Sequence, residues 1–302
     1  MEQIFLSHKG EVAALLTAVC WTFTSLAFES AGKKVGSMSV NLIRLVMAIF
    51  LLGTLSYIRF DYFFPSGATA DQWFWLSISG LVGFVIGDLL LFQAFVVIGA
   101  RISMLIMALA PPLAALFGWI ILGERLTIGN IFGMIVTIVG ISLVILGRPV
   151  KGKKLQIKYS LKGILLAFGG ATGQGLGLVL SKLGMGDYDP VSATMIRVIT
   201  GVIGFSIIFI FTGHWPKVIK AAQYGAAMAR ISIGAFFGPF LGVSLSLWAI
   251  KYTTTGVAST IMAIVPVLII PPAVLLFKEK VSFMEIFGSV IAVAGVVMLF
   301  LW

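Results

Sequence analysis

Charge is what this 302-residue sequence has least of. Only 11% of its residues are Asp, Glu, Lys or Arg, against about 25% in soluble globular domains. With 60% hydrophobic residues and a mean hydropathy of +1.11, the chain cannot be a soluble globular domain and reads as a membrane protein. Cysteine is nearly absent. The single Cys20 sits in an apolar segment without a second cysteine, which excludes a disulfide or a cysteine metal site and leaves a small buried hydrophobe. Histidine is scarce too: His8 and His214 fall in loops or at span ends. No His-carboxylate cluster has metal spacing and no Ser or Cys stands in a nucleophile motif, so the pattern predicts no enzyme, no metal and no cofactor. The net charge of +10 comes from cations in short loops between apolar runs. Anionic lipid headgroups are their natural counter-charge, at about 1 kcal/mol per basic residue near the surface, and no nucleic-acid-binding module is visible.

What the sequence has in abundance is apolar runs. A bilayer core of about 30 Å takes roughly 20 apolar residues per helix. Spacing predicts ten spans, over 11–30, 38–58, 73–98, 101–122, 127–147, 161–183, 190–212, 229–250, 256–277 and 281–302. They are separated by turn-rich breaks such as "DYFFPSGATADQ", "GRPVKGKK", "GMGDYDP" and "TGHWPK". The first run, Val12 to Phe28, is too long for a signal-peptide core and ends in "FESAGKK" without a clear cleavage site, so it is expected to remain as a helix. Tyr57, Tyr62, Trp73, Trp75, Trp215 and Trp302 fall near span boundaries, as an interfacial aromatic belt does.

The chain also repeats itself. "LGERLTIGNIFG" (122–133) returns as "FKEKVSFMEIFG" (277–288), and "IMALAPPL" (106–113) as "IMAIVPVL" (261–268), at an offset of 155. Nearer the start of each half the offset becomes 153, matching Gly10 to Gly163 and Arg44 to Arg197. Each half holds five spans: residues 1–148, then a basic linker over 149–160, then 161–302. An odd number of crossings brings the second copy into the membrane from the opposite side. The expected fold is therefore an all-α membrane protein of ten transmembrane helices in two inverted five-helix repeats, the architecture of secondary transporters.

The motif copies at Glu124 to Gly133 and Glu279 to Gly288, with Pro111 and Pro266 one helix earlier, resemble the EamA-type domain of the drug/metabolite transporter superfamily. The resemblance covers residues 10–148 and 163–302. It implies a multi-pass cell-membrane carrier of small metabolites, often an exporter of amino acids or related amphipathic compounds, with a cavity between the halves. It transfers no binding residue. Glu124 and Glu279 read as loop features that favour the start of the next helix, with Thr127 and Ser282 as N-caps.

Charges inside spans cost roughly 2.5 to 3.5 kcal/mol near a helix centre, and three need a reason. Asp88 lies about 15 Å from the Ile98 end of its helix, near the midplane. Its repeat equivalent is Val243, so the fold does not require it. It is read as an Asp paired to a helix neighbour or capping a local break, a site for a substrate cation, or a proton-coupling carboxylate. Arg44 is about 7 Å shallower from the same face, within reach of an Arg44–Asp88 pair. Arg197 sits equally shallow from the opposite face, either as scaffold or as a ligand for a substrate carboxylate. Asn41, Trp21, Gln174, Gln93 and Trp248 complete a candidate cavity beside the competing reading of core packing. Trp21 and Gln174 are repeat equivalents, as are Gln93 and Trp248, and an aromatic face beside an amide suits an amphipathic solute. Gly169, Gly173 and Gly177 recur every four residues, a smooth helix face for close packing.

Two other functions remain open from sequence: a solute channel or facilitator, and a transporter-derived sensor that binds without transport. Orientation follows from loop charge. The loops on the side of the termini hold five basic residues and the opposite loops fourteen. The positive-inside rule places the termini outside, against the familiar pattern of the resembled family. A reporter active only in the cytoplasm, fused after Trp302, is expected to be silent; activity there would reverse the orientation.

Overall fold

The computed structural model describes residues 9–125, 127–146, 159–252, 258 and 261–301. The expected linker up to position 158, the start of the expected ninth span and His8 lie outside the described residues. Every regular element described is helical: α1 (Lys9–Val35), α2 (Ser37–Phe60), α3 (Ala70–Ile98), α4 (Ala100–Leu122), α5 (Ile128–Ile145), α6 (Leu161–Met185), α7 (Pro190–Thr212), α8 (Trp215–Ala222), α9 (Gly225–Tyr252), α10 (Val265–Leu276) and α11 (Phe283–Met298). Eight of them, α1 to α7 and α9, are long and apolar enough to cross a membrane, and α10 and α11 are shorter apolar helices. Helix α8 occupies a stretch read from sequence as a loop. Trp-Pro supplies its first turn, where the fixed proline φ suits a helix start, and Val218 and Ala221 are buried beneath it.

The helix ends are locally encoded. Thr69 and Thr127 form capping boxes with Gln72 and Asn130, and Asp189 caps α7 by accepting from Ser192 N at 2.9 Å, each satisfying an N–H that the helix leaves free. Ser282 and Glu285 exchange equivalent bonds at the start of α11.

The packing pairs the helices of the two halves in equivalent ways. The first helix of each half lies against the third of the other: α6 on α3, and α1 on α9. The second helices, α2 and α7, meet each other, and so do the fifth, α5 and α11. At the α5–α11 crossing a Cβ added to Gly140 would lie 2.7 Å from the Gly288 carbonyl oxygen, and one added to Gly295 would lie 2.8 Å from the Gly133 oxygen. Position 133 corresponds to 288 and 140 to 295, so the crossing maps onto itself under the repeat. Backbone-to-backbone approach of this kind supplies dispersion that lipid tails would otherwise compete for.

Both third helices contain a π-helical segment, at Leu81–Gly87 in α3 and Phe236–Gly242 in α9. These are equivalent residue for residue at the 155 offset. Each ends on a glycine whose added Cβ would press on the carbonyl five residues earlier: Gly87 at 3.2 Å from Val82 O, and Gly242 at 2.7 Å from Phe237 O. Widened turns of this type gather at functional sites. The glycine face of α6 rests on the first of them, with an added Cβ at Gly173 falling 2.6 Å from Gly87 Cα and one at Gly177 falling 3.1 Å from Gly83 Cα.

Gly140→Val is expected to lower stability by about 1 to 3 kcal/mol or more, because the overpacked crossing has only backbone to yield. Ile138→Ala, at a position 52% exposed on the same helix, should change it by less than about 0.5 kcal/mol. Unfolding midpoints in detergent measure both.

Candidate functional site

A cavity of about 170 Å³ lies where α1, α2, α3, α4, α6, α7, α9 and α10 converge. Both π-helical segments reach it, through Phe84 of the first and Gly238 and Pro239 of the second. The fourth helices reach it where they are irregular. In α4 a 3-10 turn, Met107–Leu109, precedes Pro111, and Pro266 lies in the first turn of α10, whose helix is interrupted at Ile269. Broken helices meeting near the middle of a membrane are where transporters build solute sites.

Five of the eight sequence-nominated residues line the cavity: Trp21, Arg44, Asp88, Gln174 and Arg197. Arg44 and Asp88 form a buried ion pair between Nη2 and Oδ2. The other oxygen of Asp88 accepts from Gln174 Nε2 at 2.6 Å, which ties a side chain of the second half to a carboxylate of the first. Asn41 is fully buried behind the pair. Its amide nitrogen donates to the Asp88 carbonyl at 3.2 Å, and its oxygen accepts from Arg44 Nε at 3.1 Å. Asn41 thus orients the pair and does not face the cavity. The Arg44 guanidinium sits 4.5 Å from the Phe92 ring centroid, and that of Arg197 sits 4.8 Å from Phe84. Trp21 lies against the second π-helical segment, where a Cβ on Gly242 would fall 2.8 Å from the indole Nε1.

The remaining two lie elsewhere. Gln93 accepts from Ser37 Oγ at 2.6 Å, linking α3 to the first turn of α2. Trp248 is 47% exposed beside Tyr252. Thr24, Phe84 and Phe92 were not singled out from sequence, although the glycine pairs Gly83/Gly87 and Gly238/Gly242 repeat at the 155 offset and mark the segments around them.

The sequence profile of the EamA-like transporter family matches this chain twice, over residues 8–146 and 161–301. The protein belongs to the EamA-like transporter family. Relatives described as uncharacterized transporters occur in Clostridium kluyveri (24% identical over 295 residues, 95% of this chain and 91% of the relative) and in Archaeoglobus fulgidus (24% over 289 residues, 95% and 96%). The uncharacterized transporter YyaM of Bacillus subtilis is 28% identical over 224 residues, 73% of this chain and 70% of its own. A solved crystal structure superposes with a TM-score of 0.65 at 18% identity, covering 96% of each chain, a likeness of fold. The chain is a multi-pass cell-membrane transporter of a family that is not enzymatic.

In this EamA-like transporter the two motif glutamates do not serve the helix starts as the sequence suggested. Each instead takes a cation from the other half, because a nearby ammonium or guanidinium outcompetes a partial dipole charge. Glu124 accepts from Lys182 at 2.8 Å, with both side chains nearly half exposed. On the opposite face Arg101 donates to Glu279 at 2.7 Å and to Glu285 at 3.0 Å, and Tyr159 also donates to Glu285, at 2.9 Å. Near it, Glu29 caps α4 by accepting from Ala100 N at 2.8 Å and pairs with Lys33.

Asp88→Leu alone leaves Arg44 buried without its carboxylate and should cost about 3 to 5 kcal/mol, whereas the double variant Arg44→Met, Asp88→Leu should regain most of that loss. Thermal unfolding of the purified variants gives both values; a double variant as unstable as the single one would sink the account.

Proposed function

We propose that this transporter is a secondary carrier that moves a small amphipathic metabolite by alternating access, through ten crossings in two inverted halves, with export as the direction the family resemblance implies. The observation that carries this reading is the matched irregularity of the two halves. The π-helical segments at Leu81–Gly87 and Phe236–Gly242 are repeat equivalents and converge on one cavity with the proline-bearing fourth helices. A channel needs one lined path, but a carrier needs two equivalent sets of elements that change places around a fixed site. Ion pairs between the halves on both faces, Glu124–Lys182 and Arg101–Glu279, are contacts that such an exchange would break and reform in turn.

Asp88 is the one carboxylate among the described residues that line the cavity, and we assign proton coupling to it. A proton on Asp88 would loosen its hold on Arg44 and Gln174 together, linking protonation to the contact between the halves.

Metabolite profiling of cells with and without the gene identifies the solute, and counterflow in reconstituted vesicles tests the mechanism. A carrier should exchange labelled for unlabelled solute faster than it releases it; equal rates would mean an open pore. Asp88→Asn should abolish the response to an imposed pH gradient while exchange continues, and an unchanged response would remove proton coupling.

A further inference from the structure

Arg44 and Arg197 are repeat equivalents, but the two halves treat them differently. Arg44 has a carboxylate partner in Asp88. The residue equivalent to Asp88 is Val243, which lines the same cavity and offers no charge. Arg197 is only 4% exposed, and its Nε has no hydrogen-bond partner. Its backbone is fixed against α3: a Cβ on Gly80 would lie 2.5 Å from the Arg197 carbonyl oxygen, and one on Gly83 would lie 3.2 Å from Nη2. The guanidinium is thus held against α3, where Asp88 acts on it through space while accepting its hydrogen bonds from Arg44 and Gln174. A second polar atom in the cavity wall, Thr24 Oγ1, is likewise buried without a partner.

The charged groups lining the cavity are two guanidinium ions and one carboxylate. Both oxygens of that carboxylate are engaged, by Arg44 and by Gln174. Among the described residues a cationic solute therefore finds no carboxylate oxygen that is not already engaged, and it meets a net positive charge. A zwitterion finds a place for its carboxylate and no uncommitted carboxylate for its ammonium. A monoanion supplies the one missing charge, and buried ionic groups are retained where they are paired and hydrogen-bonded. The rest of the wall is mostly apolar, with Phe28, Phe84, Met107 and Met262 among its residues beside the hydroxyls of Ser25 and Ser246. The volume, about 170 Å³, is close to that of a cavity of roughly 150 Å³ that takes up benzene.

We propose that Arg197 holds the carboxylate of the transported solute, with Thr24 as a second donor in the same cavity, and that the solute is a small amphipathic monocarboxylate. This rests on the carrier reading for the word transported, but the binding it describes needs no translocation.

Thermal unfolding of the purified protein in detergent is followed against sodium benzoate, benzamide, benzylamine, phenylalanine and sodium chloride at matched ionic strength. Benzoate is expected to stabilise saturably, with the other four requiring at least about tenfold higher concentrations, the factor that one charge-assisted hydrogen bond supplies. Arg197→Gln should raise the benzoate half-saturation about tenfold or more, and Arg197→Lys should keep the preference for benzoate over benzylamine. A response to benzylamine, phenylalanine or chloride equal to that to benzoate overturns the proposal, as does Arg197→Gln with benzoate binding unchanged. The ligand series on the unaltered protein decides the matter even where a variant does not fold. Saturable benzoate binding by a protein that fails counterflow removes the carrier reading and leaves the anion site; counterflow of a cationic solute does the reverse.

Discussion

A charge carried into a bilayer must find a partner there, because the lipid interior offers neither water nor counterions. Around the cavity that requirement is met once and left open once. Arg44 is closed off by Asp88, and Asp88 by Gln174, with Asn41 bracing both ends of the pair from behind. Arg197 stands in the equivalent place with Val243 where its acid would be. The remaining features of the cavity serve that arrangement: aromatic faces that tolerate a guanidinium, Phe92 for Arg44 and Phe84 for Arg197, and glycines that let α3 and α7 approach closely enough to hold Arg197.

Glycine contributes a second, mechanical constraint. Where α6 meets α3 and α5 meets α11, glycines bring backbone against backbone, as at Gly173 on Gly87 and Gly140 on Gly288, between side chains such as Leu90 and Val144 that pack onto neighbouring glycines. The π-helical segments add turns whose hydrogen bonds are already wider than those of the flanking helix. In the proposed carrier, these glycine contacts and widened turns are where one half would shift against the other.

Periodicity and duplication made the helical architecture legible, since both rest on hydrophobic runs and on a fixed offset that one sequence displays. Asp88 and the two arginines were legible because charge inside an apolar run is conspicuous. The pairing of Arg44 with Asp88 followed from depth along two helices. Depth gives no rotation about the helix axis, however. Gln93 and Trp248 have the right height and point elsewhere, one to Ser37 and the other to an exposed face. The π-helical segments and α8 were hidden for a related reason: they depend on glycine contacts and a proline-led turn, which hydropathy does not register.

The clearest case of alike sequence and unlike chemistry is the pair of motif glutamates. Glu124 and Glu279 occupy equivalent positions and both bind a cation across the halves, yet position 130 is Asn and position 285 is Glu. The cations differ as well, since Arg101 corresponds to Gly256 and Lys182 to Glu29, and together these differences set a pair on one face against a network on the other. Lys182–Glu124 has side chains 44% and 46% exposed, the kind of contact worth about 0 to 1 kcal/mol. Arg101, 11% exposed, holds two carboxylates, one of them only 3% exposed, and losing such a buried partner costs several times more, about 3 to 5 kcal/mol. An inverted repeat with identical halves would favour neither end state. In the proposed carrier, unequal latches on opposite faces remove that degeneracy and make the face carrying Lys182 the cheaper one to open.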